Sequence, residues 1–204
     1  MKKSILITSA LSIAMFALYS CGGNPSSEKS NTDIVITDTD TPIDYLKIGK
    51  ELAMQTKANL GNNLITAMSE KGADGAVEFC NIKAIPITDS MSLALGARIK
   101  RVSDQPRNPN NQANDEELDY IKNLKAAQAN GKEHPPLLTE IDGKMVGYYA
   151  ITTNEMCLKC HGTPKKEISI ATLKKINKLY PKDLATGYGD NEIRGIFVVE
   201  MDKK

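Results

Sequence analysis

Residues 137–162 read LLTEIDGKMVGYYAITTNEMCLKCHG. Two runs rich in apolar and β-branched residues, Leu137 to Ile141 and Lys144 to Thr152, flank Asp142-Gly143. An Asp-Gly pair accepts the positive φ angles of a two-residue hairpin loop, so the spacing predicts two antiparallel strands. Cys157-Leu158-Lys159-Cys160-His161 follows a few residues later. This is the spacing of covalent c-type haem attachment. The two thiols add to the two vinyl groups on one edge of the ring, and the next residue brings an imidazole under the iron. Gly162 gives the chain room to leave. The competing readings are a redox CxxC and half of a zinc site. A thioredoxin-like site wants a preceding βαβ unit, which the sequence lacks. Zinc would need further ligands from Cys80 and His134, which have no supporting pair spacing.

Outward from this stretch, helical signals dominate the N-terminal side. From Ile43 to about Lys71 the chain has no proline, and Leu60, Leu64, Ala67 and Met68 share one face at helical spacing. Gly72 reads as a C-cap. A second, shorter helix from Ala73 to about Lys83 places Ala76, Val77, Cys80 and Ala84 on one face, and Pro86 ends it. Arg98 to Ser103 reads as a strand. Asp104 to Asn114, with Pro106 and Pro109, reads as a loop. Asp115, Glu116 and Glu117 open a helix whose dipole they complement, and Asn130-Gly131 stops it. Beyond the Cys pair, Ile168, Leu173, Ile176 and Leu179 give helical spacing over Lys165 to Leu179, and Tyr180-Pro181 stops it. Glu192 to Met201 is a last strand. Helices, strand, helix, hairpin, helix, strand: the order predicts an α+β domain with antiparallel pairing.

The N-terminus reads differently. Lys2 and Lys3 precede an apolar run from Ile5 to Leu18, too short to span a bilayer comfortably. It ends in Leu18-Tyr19-Ser20-Cys21, which resembles a bacterial lipobox. Residues 1–20 are therefore expected to be an export signal, and Cys21 a lipidated first residue that holds the protein to a bilayer. Residues 21–42 form a polar tether, with Ile34, Val35 and Ile36 as its few apolar side chains. The folded domain is expected over 43–204. Export favours the haem reading too, since bacterial c-type attachment takes place outside the cytoplasm. The expected location is the periplasmic side of an inner or outer membrane.

Composition excludes several classes. The 204 residues are 41% hydrophobic and 25% charged, which argues against a disordered chain or a polytopic membrane protein. Lys and Arg number 26 against 25 acids, so no pull toward nucleic acid is implied. The chain has four Cys and two His, and any metal chemistry draws on that short list. One CxxCH means one haem. With Cys21, Cys157 and Cys160 assigned, Cys80 is left over. It reads either as a small buried hydrophobe or as a thiolate on the iron, with His134 and the eight Met as competitors for that position. Met91, Met145 and Met156 are at spacings typical of core.

Further landmarks are spread along the chain. They are Ala76-Val77-Glu78-Phe79-Cys80, then Gly96 through Arg101-Val102-Ser103, then Arg107-Asn108-Pro109-Asn110. After the Cys pair come Tyr180-Pro181-Lys182-Asp183, Ala185-Thr186-Gly187-Tyr188, Gly189-Asp190 and Arg194-Gly195. In this order they resemble the single-domain c-type haem proteins with a PAS-like fold. That family was long catalogued as a domain of unknown function and also serves as the extracytoplasmic input module of some histidine kinases. The resemblance covers about residues 45–201. It implies an antiparallel sheet and N-terminal helices packed around one covalent haem. It also implies that Cys80, at the position of the family's helical Cys, is the second axial ligand opposite His161. Arg101 and Arg107 become candidates to meet the haem propionates, and Tyr180 and Tyr188 to pack over the haem edge. The family's Pro after that Cys falls slightly displaced, at Pro86.

The function expected is a membrane-tethered monohaem module that responds to redox state or to a ligand. A periplasmic electron-transfer cytochrome is the alternative. A haem peroxidase ranks lower, because only His134 could serve as a distal acid or base. No catalytic constellation beyond the haem is seen. The expected partners are the bilayer at Cys21 and either a redox protein or a separate signalling protein.

Overall fold

The computed structural model describes residues 42–204. The expected export signal, the expected tether up to residue 41 and Cys21 lie outside the described residues. Among the described residues, no helix is long and apolar enough to cross a membrane.

Helix α1 runs from Tyr45 to Leu95. Asp44 caps it, its carboxylate accepting from the Lys47 N–H at 3.0 Å. Gly72 breaks it, with φ 69° and ψ −178°, a conformation essentially reserved for glycine. The break matches the expected boundary and leaves two arms, 45–71 and 73–95. The expected stop at Pro86 is not observed. Pro86 lies inside the second arm, which continues to Leu95 and ends on Gly96 at φ 63°. Proline forfeits the N–H that would reach the Ile82 carbonyl. Packing beyond it compensates: Thr88 is buried, and the Ser92 hydroxyl accepts from the Ile99 N–H at 3.0 Å. Those contacts hold the last turns against the sheet.

Strand β1 spans Arg98–Val102. A single 3-10 turn, Pro109–Asn111, interrupts the following loop. Helix α2, Asp115–Ala129, begins with a reciprocal capping box between Asn114 and Glu117. Strands β2, Leu137–Ile141, and β3, Lys144–Thr152, form the expected hairpin. Their connection places Asp142 at φ 50° and Gly143 at φ 74°. Helix α3, Glu155–His161, is a short helix that the sequence reading did not foresee. Helix α4 covers Ile170–Leu179, not the whole of 165–179. Lys165 takes φ 66° and Ser169 caps the helix through the Thr172 N–H, so the residues before Ile170 form a turn. Strand β4 spans Ile193–Asp202.

The strands make one antiparallel sheet in the order β1-β4-β3-β2, the PAS-like α+β arrangement expected. β4 lies inside it, paired with β1 from Ile196 to Glu200 and with β3 along its length. Both its faces are covered, which is why it reads Ile-Phe-Val-Val without alternation. Ile196 and Val198 pack with Tyr120, Ile121 and Leu124 of α2. Phe197, Val199 and Met201 pack with Ala53 of α1. A third cluster joins Val77 of the second α1 arm to Ile168, Ile176 and Tyr180.

Candidate functional site

The Cys pair stands on α3. Asn154 caps that helix and also contacts the Cys157 Sγ at 3.2 Å. Helical geometry brings Cys157, Cys160 and His161 onto a common side, since residues three and four apart are neighbours. They border a cavity of about 290 Å³ between the two arms of α1, the sheet and α3. Leu64, Met68, Val77 and Ile151 supply apolar wall. Cys80, Arg101, Arg107, Tyr180 and Arg194 also line it.

His161 is held from behind. Its Nδ1 lies 2.8 Å from the Ala185 carbonyl oxygen. A carbonyl can only accept, so Nδ1 carries the proton and Nε2 keeps its lone pair. Burial pushes the imidazole pKa well below its ordinary value, and Arg107 and Arg194 push the same way. The ring is therefore neutral, the form that binds metals. Tyr188 packs edge-on to it, ring centres 6.3 Å apart.

Arg107 organises the floor. Its Nε and Nη2 donate to the two Asp183 carboxylate oxygens, each at 3.1 Å. Nη2 also donates to the carbonyls of Cys160 at 2.7 Å and Ala185 at 3.1 Å. One guanidinium thus ties the end of the Cys motif to the strip that holds His161. Burial raises the Cys80 thiol pKa against the pull of Arg101 and Arg107. Burial likewise raises Cys160 to about 11.

The structure brings together Cys80, Cys157, Cys160, His161, Arg101, Arg107 and Tyr180 around one cavity. Tyr188 stands behind His161 rather than on the cavity wall. His134 is elsewhere: it is half-buried and meets Tyr120 of the α2 cluster edge-on, ring centres 5.2 Å apart. Among the described residues, no group of three or more His, Cys, Asp or Glu is placed to share a metal ion. Arg194 was quoted as a landmark but given no role. Its signal was a lone cation opening an apolar strand.

Two features make the residues fit a haem. The motif's thiols and a neutral, pre-oriented imidazole share an apolar cavity. Buried guanidinium nitrogens, Arg101 Nε and Arg194 Nε, find no hydrogen-bond partner among the described residues. A group with an apolar body and anionic arms would satisfy both.

A family model described as "Tll0287-like: Tll0287" matches residues 27–201. Among solved structures, the chain is similar to one described as the crystal structure of the cyanobacterial heme-protein Tll0287. The TM-score is 0.54 at 16% identity, covering 79% of this chain and 98% of that one, a likeness of fold. No curated protein matches the chain.

Proposed function

The chain belongs to the Tll0287-like family, and on that premise we propose that it is a membrane-tethered monohaem protein whose haem is attached through Cys157 and Cys160. The observation that carries the proposal is the hydrogen bond from His161 Nδ1 to the Ala185 carbonyl. It leaves Nε2 as a lone-pair donor beside two thiols in one cavity, and second-shell bonds of this kind are what orient metal-binding imidazoles. The name of the similar structure, a heme-protein, supports the same reading. Bound there, a haem supplies a one-electron couple.

In this proposal His161 is the proximal ligand and Cys80 the distal one. Cys80 reaches the cavity from the second arm of α1, while His161 comes from α3. Tyr180 closes the wall, and Tyr188 backs His161. A thiolate donor prefers ferric to ferrous iron, so the oxidation state decides how firmly Cys80 holds. That favours a redox- or ligand-responsive module over a plain electron carrier. Cys21, lipidated after export, would keep the domain at the periplasmic side of a membrane, near a redox or signalling partner.

The test is expression with a c-type maturation system. Haem should stay with the polypeptide on a denaturing gel, and Cys157→Ala with Cys160→Ala should abolish it. A protein that gives up its haem on denaturation overturns attachment. Spectra of both oxidation states then decide between the two modes. A ligand set that changes on reduction supports the responsive module, and an unchanged set supports the carrier. Cys21→Ser should release the protein from the membrane fraction, and unaltered retention would remove the lipid anchor from the proposal.

A further inference from the structure

Three arginines border the cavity, and they are not equivalent. Arg107 is ion-paired with Asp183 and also bonded to two carbonyls. Arg101, on β1, has one acceptor, the Ala84 carbonyl at 3.4 Å, and its Nε has none. Arg194, on β4, donates to Ser103 Oγ at 2.7 Å and the Gln105 carbonyl at 3.1 Å, and its Nε has none. Among the described residues neither forms a salt bridge with a carboxylate. The nearby acids are taken: Asp183 by Arg107, and Asp104 by Lys125 at 2.6 Å.

Among the described residues no Asp or Glu lines the cavity itself. Cys80, Cys157, Cys160, His161 and Tyr180 share the wall, and the haem reading assigns Cys80 and His161 to the iron and Cys157 and Cys160 to attachment. Two half-buried guanidiniums, each with a buried and unpartnered Nε, therefore lack a carboxylate partner, an arrangement that is costly unless an anion arrives. Tyr188 holds Arg194 ready, the guanidinium carbon lying 5.3 Å from the ring centre.

Resting on the haem reading above, we propose that Arg101 and Arg194 form the carboxylate-binding end of the pocket, one guanidinium for each propionate. The charges match two to two, and a guanidinium fork suits a carboxylate. Arg107 is then a positioning residue for the motif and not a propionate ligand, and Arg194 takes the place that sequence reading gave it.

The experiment follows the reduction potential of the haem-loaded full chain against pH. Paired guanidiniums hold carboxylates ionised, so between about pH 5 and about pH 8 the wild-type profile should carry no propionate inflection beyond the slope that release of Cys80 on reduction contributes. Arg194→Gln and Arg101→Gln should each keep covalent haem and bring an inflection into that window, a rise of about one unit or more in a propionate pKa. Arg98→Gln, at an exposed ion pair with Glu200, should superimpose on wild type. Profiles of both pocket variants identical to wild type would overturn the assignment. A second measurement needs no variant: redox-difference infrared spectra of wild type at about pH 6 should show ionised propionates only. The carbonyl band of a protonated propionic acid there overturns the proposal. Wild-type protein without covalent haem removes the underlying haem reading and this pair with it. Haem that is present with unmoved profiles removes the pair alone.

Discussion

The two sides of the sheet bury charge in opposite ways. On the α2 side, Glu117 is 2% exposed. Its carboxylate accepts from the Asn114 N–H at 2.9 Å and meets Lys100 Nζ at 2.6 Å. On the cavity side, Arg101 and Arg194 each keep a buried nitrogen without a partner. Satisfied burial marks scaffold, and unsatisfied burial marks a place prepared for something else. The contrast also runs through the cavity itself, because Arg107 belongs with Glu117 and not with its neighbours.

Four substitutions would break or sharpen this contrast. Arg107→Ala should have the largest effect. It strands Asp183 and frees two carbonyls, and losing one partner of a buried pair costs about 3–5 kcal/mol. Urea unfolding should show the midpoint fall, and an unchanged midpoint would place Arg107 with the site arginines. Glu117→Ala should cost about 2–3 kcal/mol, less because the Lys100 side chain is 34% exposed and can return to water. The same measurement applies. Gly72→Ala should cost about 1–3 kcal/mol by forcing a Cβ into a glycine-only backbone conformation. Arg101→Met should do least, staying within about 1 kcal/mol of wild type or gaining stability in haem-free chain, since it removes an uncompensated buried charge. A loss as large as that of Arg107→Ala would erase the distinction.

Much of this was legible in the sequence because its signals are local. Asp142-Gly143 fixed the hairpin, and the register pairs Ile141 with Lys144. CxxCH needs only five residues, and Gly72 announces its own break. What escaped depends on distant partners. Pro86 looks like a stop when its missing N–H is the only consideration, but burial of Thr88 and the bond from the Ile99 N–H to Ser92 outweigh it. Lys165 to Ile168 carry helical spacing, yet Ile168 belongs to a turn, with its carbonyl accepting from the Lys165 N–H. The division of labour among Arg101, Arg107 and Arg194 has no sequence signature. It depends on Asp183 standing where Arg107 can reach it and the other two cannot.

The position of β4 in the sheet has a consequence in time. The strand that joins β1 to β3 is made after both, so during synthesis its partners wait. The β2–β3 hairpin can form early from local pairing, but β1 stays an orphan across about a hundred residues of intervening chain. Until β4 arrives, neither face of the sheet has its central apolar strip, and α1 lacks Phe197, Val199 and Met201 to close upon. α3, with its two thiols, leaves before β4 in the same order. The chain is thus arranged so that Cys157 and Cys160 emerge into an unfinished domain, and β4 seals the fold behind them.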